Sequence, residues 1–185
     1  MKFTAAIASS ILLSGSTLAA PTTTNRSWPF IITSMGSPTP VHYGRLTAAN
    51  MGFTINGSNQ GAQCDKENDS ATFQLQGSQL FLYSANNEVQ QVFVDRSGMG
   101  GGAIGYFDNT KSAPGSHFEL DGWSINHKDQ LVFGNSKLAA CPPYEEGGVW
   151  TVRVISTENQ AESKSCIHFD ARVTPQDNPS SCIYS

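Results

Sequence analysis

Val92-Phe93-Val94-Asp95-Arg96-Ser97-Gly98-Met99-Gly100-Gly101-Gly102-Ala103-Ile104-Gly105-Tyr106-Phe107 is the stretch whose reading decides the fold. A β-branched apolar run leads into five glycines within eight residues, and Ile104, Tyr106 and Phe107 then resume the apolar character. Glycine gathers where the backbone takes positive φ or where a neighbouring segment comes too close for a Cβ. The stretch reads as a strand, a tight and bulged turn, and a returning strand. Gly100, Gly102 and Gly105 also spell G-x-G-x-x-G, with Asp121 near the distance expected of a dinucleotide fingerprint. That mechanism requires a helix opening at the third glycine, so that its N–H groups meet the pyrophosphate. Tyr106-Phe107-Asp108 continues as strand, so nucleotide binding is excluded.

Outward from this block the pattern stays at period two. Phe73-Gln74-Leu75 turns at Gln76–Gln79 and returns as Leu80–Tyr83, and Trp123-Ser124-Ile125 turns at Asn126–Gln130 and returns as Leu131–Phe133. Val149–Val154 and Cys166–Val173 alternate in the same way, while Trp28–Thr33, Val41–Leu46 and Phe53–Ile55 read as further strands. No dozen-residue stretch carries a helical period. The expectation is an all-β fold: a single compact antiparallel β-sandwich or irregular barrel, stapled by two disulfides. The matching hairpins also suggest a β-trefoil-like arrangement, but a third unit sought near Trp150 lacks an immediate return strand.

The first residues read as a secretory leader: Lys2, an apolar Ala5–Leu13, and small residues up to Ala19. The domain expectation is therefore a signal peptide over 1–19 and one all-β cell-wall domain over 20–185 with a flexible N-terminal arm. Losing Lys2 moves the formal charge from −4 to −5. Mild acidity without a basic stripe argues against nucleic acid as a partner. No apolar run suggests a membrane anchor. Cys64, Cys141, Cys166 and Cys182 are spaced by 77, 25 and 16 residues, which suits two disulfides and not a zinc site. Of the three connectivities, Cys166–Cys182 with Cys64–Cys141 is the expected one. Asn25, Asn56 and Asn68 open glycosylation sequons, whereas proline blocks the one at Asn178.

Chemistry-bearing residues do not form a recognisable constellation. There is no G-x-S-x-G, and His42, His117, His127 and His168 are scattered without ligand spacing. Carboxylates for glycoside hydrolysis are available at Asp95, Asp108, Glu119, Asp121, Glu145 and Glu146, but their separation is a spatial matter. Asp95 and Arg96 are the candidate ligand-binding residues; the structural alternative has Asp95 cross-linking the glycine turn with Arg96 as its ion-pair partner. Trp28, Trp123 and Trp150 could stack on sugars, although two of them occupy core-alternation positions. No catalytic, metal or cofactor-binding residue is assigned, and no cofactor is expected.

Four blocks carry a family resemblance. They are Ala71-Thr72-Phe73 with Leu80-x-Leu82-Tyr83; Phe93–Tyr106; Gly122-Trp123-Ser124-Ile125 continuing to Leu138-x-Ala140-Cys141-Pro142; and Cys166–Phe169 with Ala171-Arg172-Val173 and Asn178-Pro179-x-Ser181-Cys182-x-Tyr184. Together they resemble the PhiA-type secreted cell-wall proteins of filamentous fungi, across nearly the whole mature chain. The resemblance implies a non-enzymatic, secreted cell-wall protein acting in phialide and conidium development and sporulation, with a general stress-protective role and allergen-like, IgE-binding character. It carries no catalytic residues. It implies cell-wall polysaccharides or glycoproteins as partners, and a carbohydrate-binding module for glucan, mannan or chitin is the alternative. Gly101 and Ala103 stand where the family commonly has polar or basic side chains, so the turn's backbone shape is what this chain retains.

Overall fold

The computed structural model describes residues 28–57, 60–86, 88–108, 115–134, 136–143, 149–155 and 165–185. The leader, the N-terminal arm, Asn25, Glu145 and Glu146 lie outside these residues. In chain order the strands are β1 (Phe30–Met35), β2 (Leu46–Ala49), β3 (Gly52–Ile55), β4 (Ala62–Cys64), β5 (Thr72–Gln76), β6 (Gln79–Leu82), β7 (Gln90–Asp95) and β8 (Ile104–Asp108). They continue with β9 (Phe118–Glu119), β10 (Trp123–Ile125), β11 (Gln130–Phe133), β12 (Leu138–Cys141), β13 (Trp150–Val154), β14 (Ile167–Pro175) and β15 (Cys182–Tyr184). No helix occurs among the described residues.

Alternation places the core. On β14 the side chains of Phe169, Ala171 and Val173 point inward while His168, Arg172 and Thr174 face out, as a period of two demands. The same rule buries Phe30 and Ile32 on β1, Phe73 and Leu75 on β5, and Leu131 and Phe133 on β11. These strands close on themselves: β1 pairs with β5, β5 with β6, β10 with β11, β11 with β14, and β14 with β1. The remaining joint, β6 to β10, is a bridge between Gln79 and Asp121 together with N–H bonds from Gly122 and Trp123 to the Ser78 carbonyl. The result is a six-stranded barrel without a free edge.

Three further hairpins, β2–β3, β7–β8 and β12–β13, cover one end of that barrel. They hold one another through Trp150↔Ile55, Gly52↔Gly105 and Ala103↔Arg153. A six-stranded barrel capped by three mutually paired hairpins is the connectivity of a β-trefoil. The all-β, antiparallel, doubly cross-linked fold is thus as expected, and the pairing selects the trefoil-like architecture from those left open. Its approximate threefold order is visible at the centre. Ile32, Leu46, Phe53 and Phe73 come from the first third, and Leu80, Val92, Ile104 and Trp123 from the second. Leu131, Leu138 and Val152 come from the last, all around a void of only about 10 Å³. The fourth position of the last third falls on β14, whose inward Ala171 is small and fully buried.

Two expectations are corrected. Val41–Leu46 is not a strand: β2 begins at Leu46, and the preceding residues form a turn in which Tyr43 has φ 61°. The disulfides are Cys64–Cys182 and Cys141–Cys166, not Cys166–Cys182 and Cys64–Cys141. The expected pairing fails because β15 pairs with β4, which sets Cys182 directly opposite Cys64. Cys141 ends β12 and Cys166 precedes β14, and these two strands are also paired.

Candidate functional site

The glycine turn is an internally bonded joint between two cap hairpins. Asp95 closes β7: its Oδ1 accepts from the Ser97 N–H at 2.8 Å, and its backbone carbonyl accepts from Gly102 at 2.9 Å. Gly100 and Gly101 both donate to the Ser97 carbonyl, and Ala103 donates to Gly100. Gly102 requires its lack of a side chain. It has φ 79°, and a Cβ there would stand 1.9 Å from the Val154 carbonyl oxygen, whose own N–H donates to Gly102. Arg153 Nη1 reaches across to the Gly100 carbonyl at 2.9 Å. The block therefore ties β7–β8 to β12–β13.

Asp95 does cross-link this turn, but Arg96 is not its ion-pair partner. Arg96 Nε pairs with Glu119 Oε2 at 3.1 Å, and its guanidinium lies 5.3 Å from the centre of the Phe133 ring. β9 folds over β7 here, with Phe118 edge-on to Phe93 at 4.7 Å. That cover explains why β7 is buried on both faces. Asp121, the acid of the accidental fingerprint, accepts from Ser78 Oγ at 2.7 Å and Gln79 Nε2 at 3.3 Å, sealing the β6–β10 joint.

The carboxy-terminal segment is clamped under the cap. The Gln90 amide makes a two-way bond with the Tyr184 backbone, at 2.6 and 2.8 Å. The Thr72 N–H donates to the Tyr184 hydroxyl at 3.1 Å, and the Tyr106 hydroxyl donates to the Ser185 carbonyl at 2.9 Å. Burial pushes the Tyr184 phenol up to about 12 despite the Thr72 bond, and it also raises Tyr106.

The segment that leads into this tail forms one wall of a surface groove of about 490 Å³. Gln176, Asn178 and Ser180 line it on one side, the loop from Lys66 to Ser70 on the other, with Ile31 and Arg45 between. Lys66 Nζ bridges the walls, donating to the Asn178 carbonyl at 2.9 Å and to Asn178 Oδ1 at 2.7 Å. Arg45 Nη1 meets Asp69 Oδ1 at 2.6 Å. Cys64–Cys182 lies just behind, joining the bases of both walls.

Of the remaining sequence candidates, only Asn68 lines this groove. Trp123 is buried against Phe133, and Trp28 and Trp150 are half-buried. His117, His127 and His168 are exposed on separate strands and loops, and no group of three His, Cys, Asp or Glu side chains that could hold a metal occurs among the described residues. Asn56 is exposed at a turn with φ 59°. Asn68 is half-buried; its Oδ1 accepts from the Ser70 N–H, and its Nδ2 faces Thr72 Oγ1 and Cys182 Sγ. Tyr43, Arg45 and Asp69 were not singled out by sequence reasoning. Only the unusual placing of an aromatic at a turn, ahead of a glycine, could have signalled the first.

Comparison with known proteins covers the same span. Residues 30–185 match the profile of a family described as PhiA-like secreted protein. The chain is 35% identical over 181 residues to the cell wall protein phiA of Aspergillus fumigatus, covering 97% of this chain and 96% of that one. It is 33% identical over 183 residues to the cell wall protein phiA of Emericella nidulans, covering 98% and 97%. It is 36% identical over 160 residues to the cell wall protein phiA of Aspergillus niger, covering 85% of each. No solved structure matches the chain significantly.

Proposed function

The chain belongs to the PhiA-like secreted protein family, and from that premise we propose that it is a non-catalytic component of the wall of asexual structures, acting in phialide and conidium formation. It is a secreted cell-wall protein. The developmental role, and a protective role under stress, are the finer parts of this reading.

One observation carries it. The most distinctive block of the sequence is absorbed by structure, since the N–H groups of Asp95, Ser97, Gly100, Gly101, Gly102 and Ala103 all bond within the turn. A motif used in this way favours a durable scaffold over a reactive loop. Two disulfides and a barrel closed around its own side chains suit a molecule that works outside the cell, where nothing repairs it.

The test is genetic and cytological. A tagged copy is expected in the wall, and deletion of the gene is expected to reduce phialides and conidia. A tagged protein confined to the cell interior, or a deletion strain with unaltered conidiation, would refute the proposal. An activity screen on wall polymers, with Asp95→Asn as control, tests the non-catalytic part: turnover that disappears in the variant would make Asp95 catalytic.

A further inference from the structure

We propose that the groove between the 66–70 loop and the 176–180 segment, with the exposed ring of Tyr43 at its end, is a binding site for a neutral hexose polymer. The inference deepens the reading of the chain as a wall protein, and rests on it, by naming how the wall would hold it.

Tyr43 is the first observation. It is third in a turn closed by the Gly44 N–H to the Val41 carbonyl at 3.1 Å, and its φ of 61° is the value for which such a turn ordinarily uses glycine or asparagine. A bulky residue there is a conformational outlier, costing on the order of 1–3 kcal/mol. The core does not explain it, because the Tyr43 side chain is not used inside: the residue is 69% exposed. The ring nevertheless has a packing partner on one side. It packs on the His42 imidazole with centroids 3.9 Å apart, and His42 Nδ1 accepts from the Gly36 N–H at 3.2 Å. An aromatic face presented to water is what a pyranose ring stacks upon.

The second observation is what lies beside it. Gly44 is buried while Tyr43 and Arg45 are both exposed, and two residues of chain keep their Cα atoms within about 7 Å of each other. Arg45 opens the groove, whose volume is that of a ligand site. The charged lining residues are Arg45 and Lys66 against Glu67 and Asp69, which cancel. A cancelled field gives no advantage to a polyanion or polycation. What remains is a set of planar donors and acceptors, with Asn178 and Gln176 among them, suited to hydroxyl groups. The walls are fixed by the Lys66–Asn178 bonds and by Cys64–Cys182, so little order need be lost on binding.

The test uses the full secreted chain and three insoluble neutral polymers, glucan, mannan and chitin, with an anionic polysaccharide alongside. The native protein is expected to be retained on at least one neutral polymer, and the arm that retains it identifies the sugar. Tyr43→Asn and Asp69→Ala are expected to lose about tenfold or more in retention. Because asparagine suits the turn, Tyr43→Asn should melt no lower than the native chain, so its loss of binding cannot be blamed on unfolding. No retention on any neutral polymer, retention on the anionic polymer alone, or equal retention of native and Tyr43→Asn chains would each overturn the site. Wall staining of the Tyr43→Asn variant separates this from the broader reading. A variant that stays in the wall and a native chain that binds no polymer would remove the groove alone, whereas a native chain absent from the wall would remove both.

Discussion

Replacing each cystine by a pair of alanines should reveal unequal disulfides. Cys64 and Cys182 are 118 residues apart, Cys141 and Cys166 only 25. In the chain-entropy account a cross-link limits the unfolded ensemble in proportion to the logarithm of the loop it closes, giving about 5 kcal/mol for the long bridge and about 3.5 kcal/mol for the short one. Against a total of about 5–15 kcal/mol either loss is large. The long bridge has a further effect in the folded state, because it pins β15 to β4 and with it the Tyr184–Gln90 bonds. The assay is guanidinium unfolding of the two single-cystine variants, with melting temperatures as a second readout. At about 2–4 °C per kcal/mol for a chain of this size, the Cys64→Ala/Cys182→Ala protein should melt roughly 10–20 °C lower and the Cys141→Ala/Cys166→Ala protein roughly 7–14 °C lower. Peptide mapping of the native protein must recover the two pairs. Recovery of a Cys166–Cys182 peptide, or a greater loss from removing the short bridge, would refute the reasoning.

Gly102→Ala forces a Cβ onto the Val154 carbonyl at positive φ and should cost about 3 kcal/mol or more by urea unfolding. Gly98→Ala, with nothing within 4 Å, should stay within about 0.5 kcal/mol. A Cβ at Gly100 would stand 2.1 Å from the Asp95 carboxyl carbon. Gly100→Ala should therefore be less harmful once Asp95 is alanine, and a double-mutant cycle should show coupling of about 0.5–3 kcal/mol. For Tyr184 the folded phenol keeps its proton up to about 12, while in the unfolded chain it ionises near 10. Its contribution is complete below pH 10 and falls away as pH rises toward 12, by up to about 3 kcal/mol. Tyr184→Phe should be about 1–2 kcal/mol less stable at neutral pH, with the Thr72 N–H left unpaired, yet lose less across that alkaline window; an unchanged alkaline slope would clear Tyr184. Glycan mapping should find Asn56 occupied and Asn68 bare, because the Asn68 Nδ2 is turned toward Thr72 and Cys182.

The strands were legible wherever a face is buried along several residues, because alternation is then written into the sequence. The β5–β6 and β10–β11 hairpins and β14 are read directly from Phe73, Trp123 and Phe169. The third unit of the trefoil was not, and its location gives the reason. It is not near Trp150, which belongs to the cap; it is the pairing of β14 with β1, Asp170–Pro175 against Phe30–Met35. The chain's two ends together make that unit, so no local repeat can display it. The same holds for the cystines: Cys182 meets Cys64 because β15 returns to β4, a partnership with no signal in spacing.

This closure also determines where a site can lie. Once β14 and β1 complete the barrel, the segment after β14 must leave beside β1, and Gln176 donates its N–H to the Pro29 carbonyl. It then runs past the 66–70 loop toward Cys64, and the groove is the space between those two passages. Its polar lining is contributed by residues far apart in sequence, and each read singly as an ordinary solvated charge or amide. A candidate formed at the seam of a closed barrel is thus invisible to motif reasoning, while the glycine block, conspicuous in sequence, is consumed in holding the cap. Swapping the two roles would require the N–H groups of Gly100, Gly101 and Gly102 to be free and the seam to be lined by apolar side chains, and neither holds among the described residues.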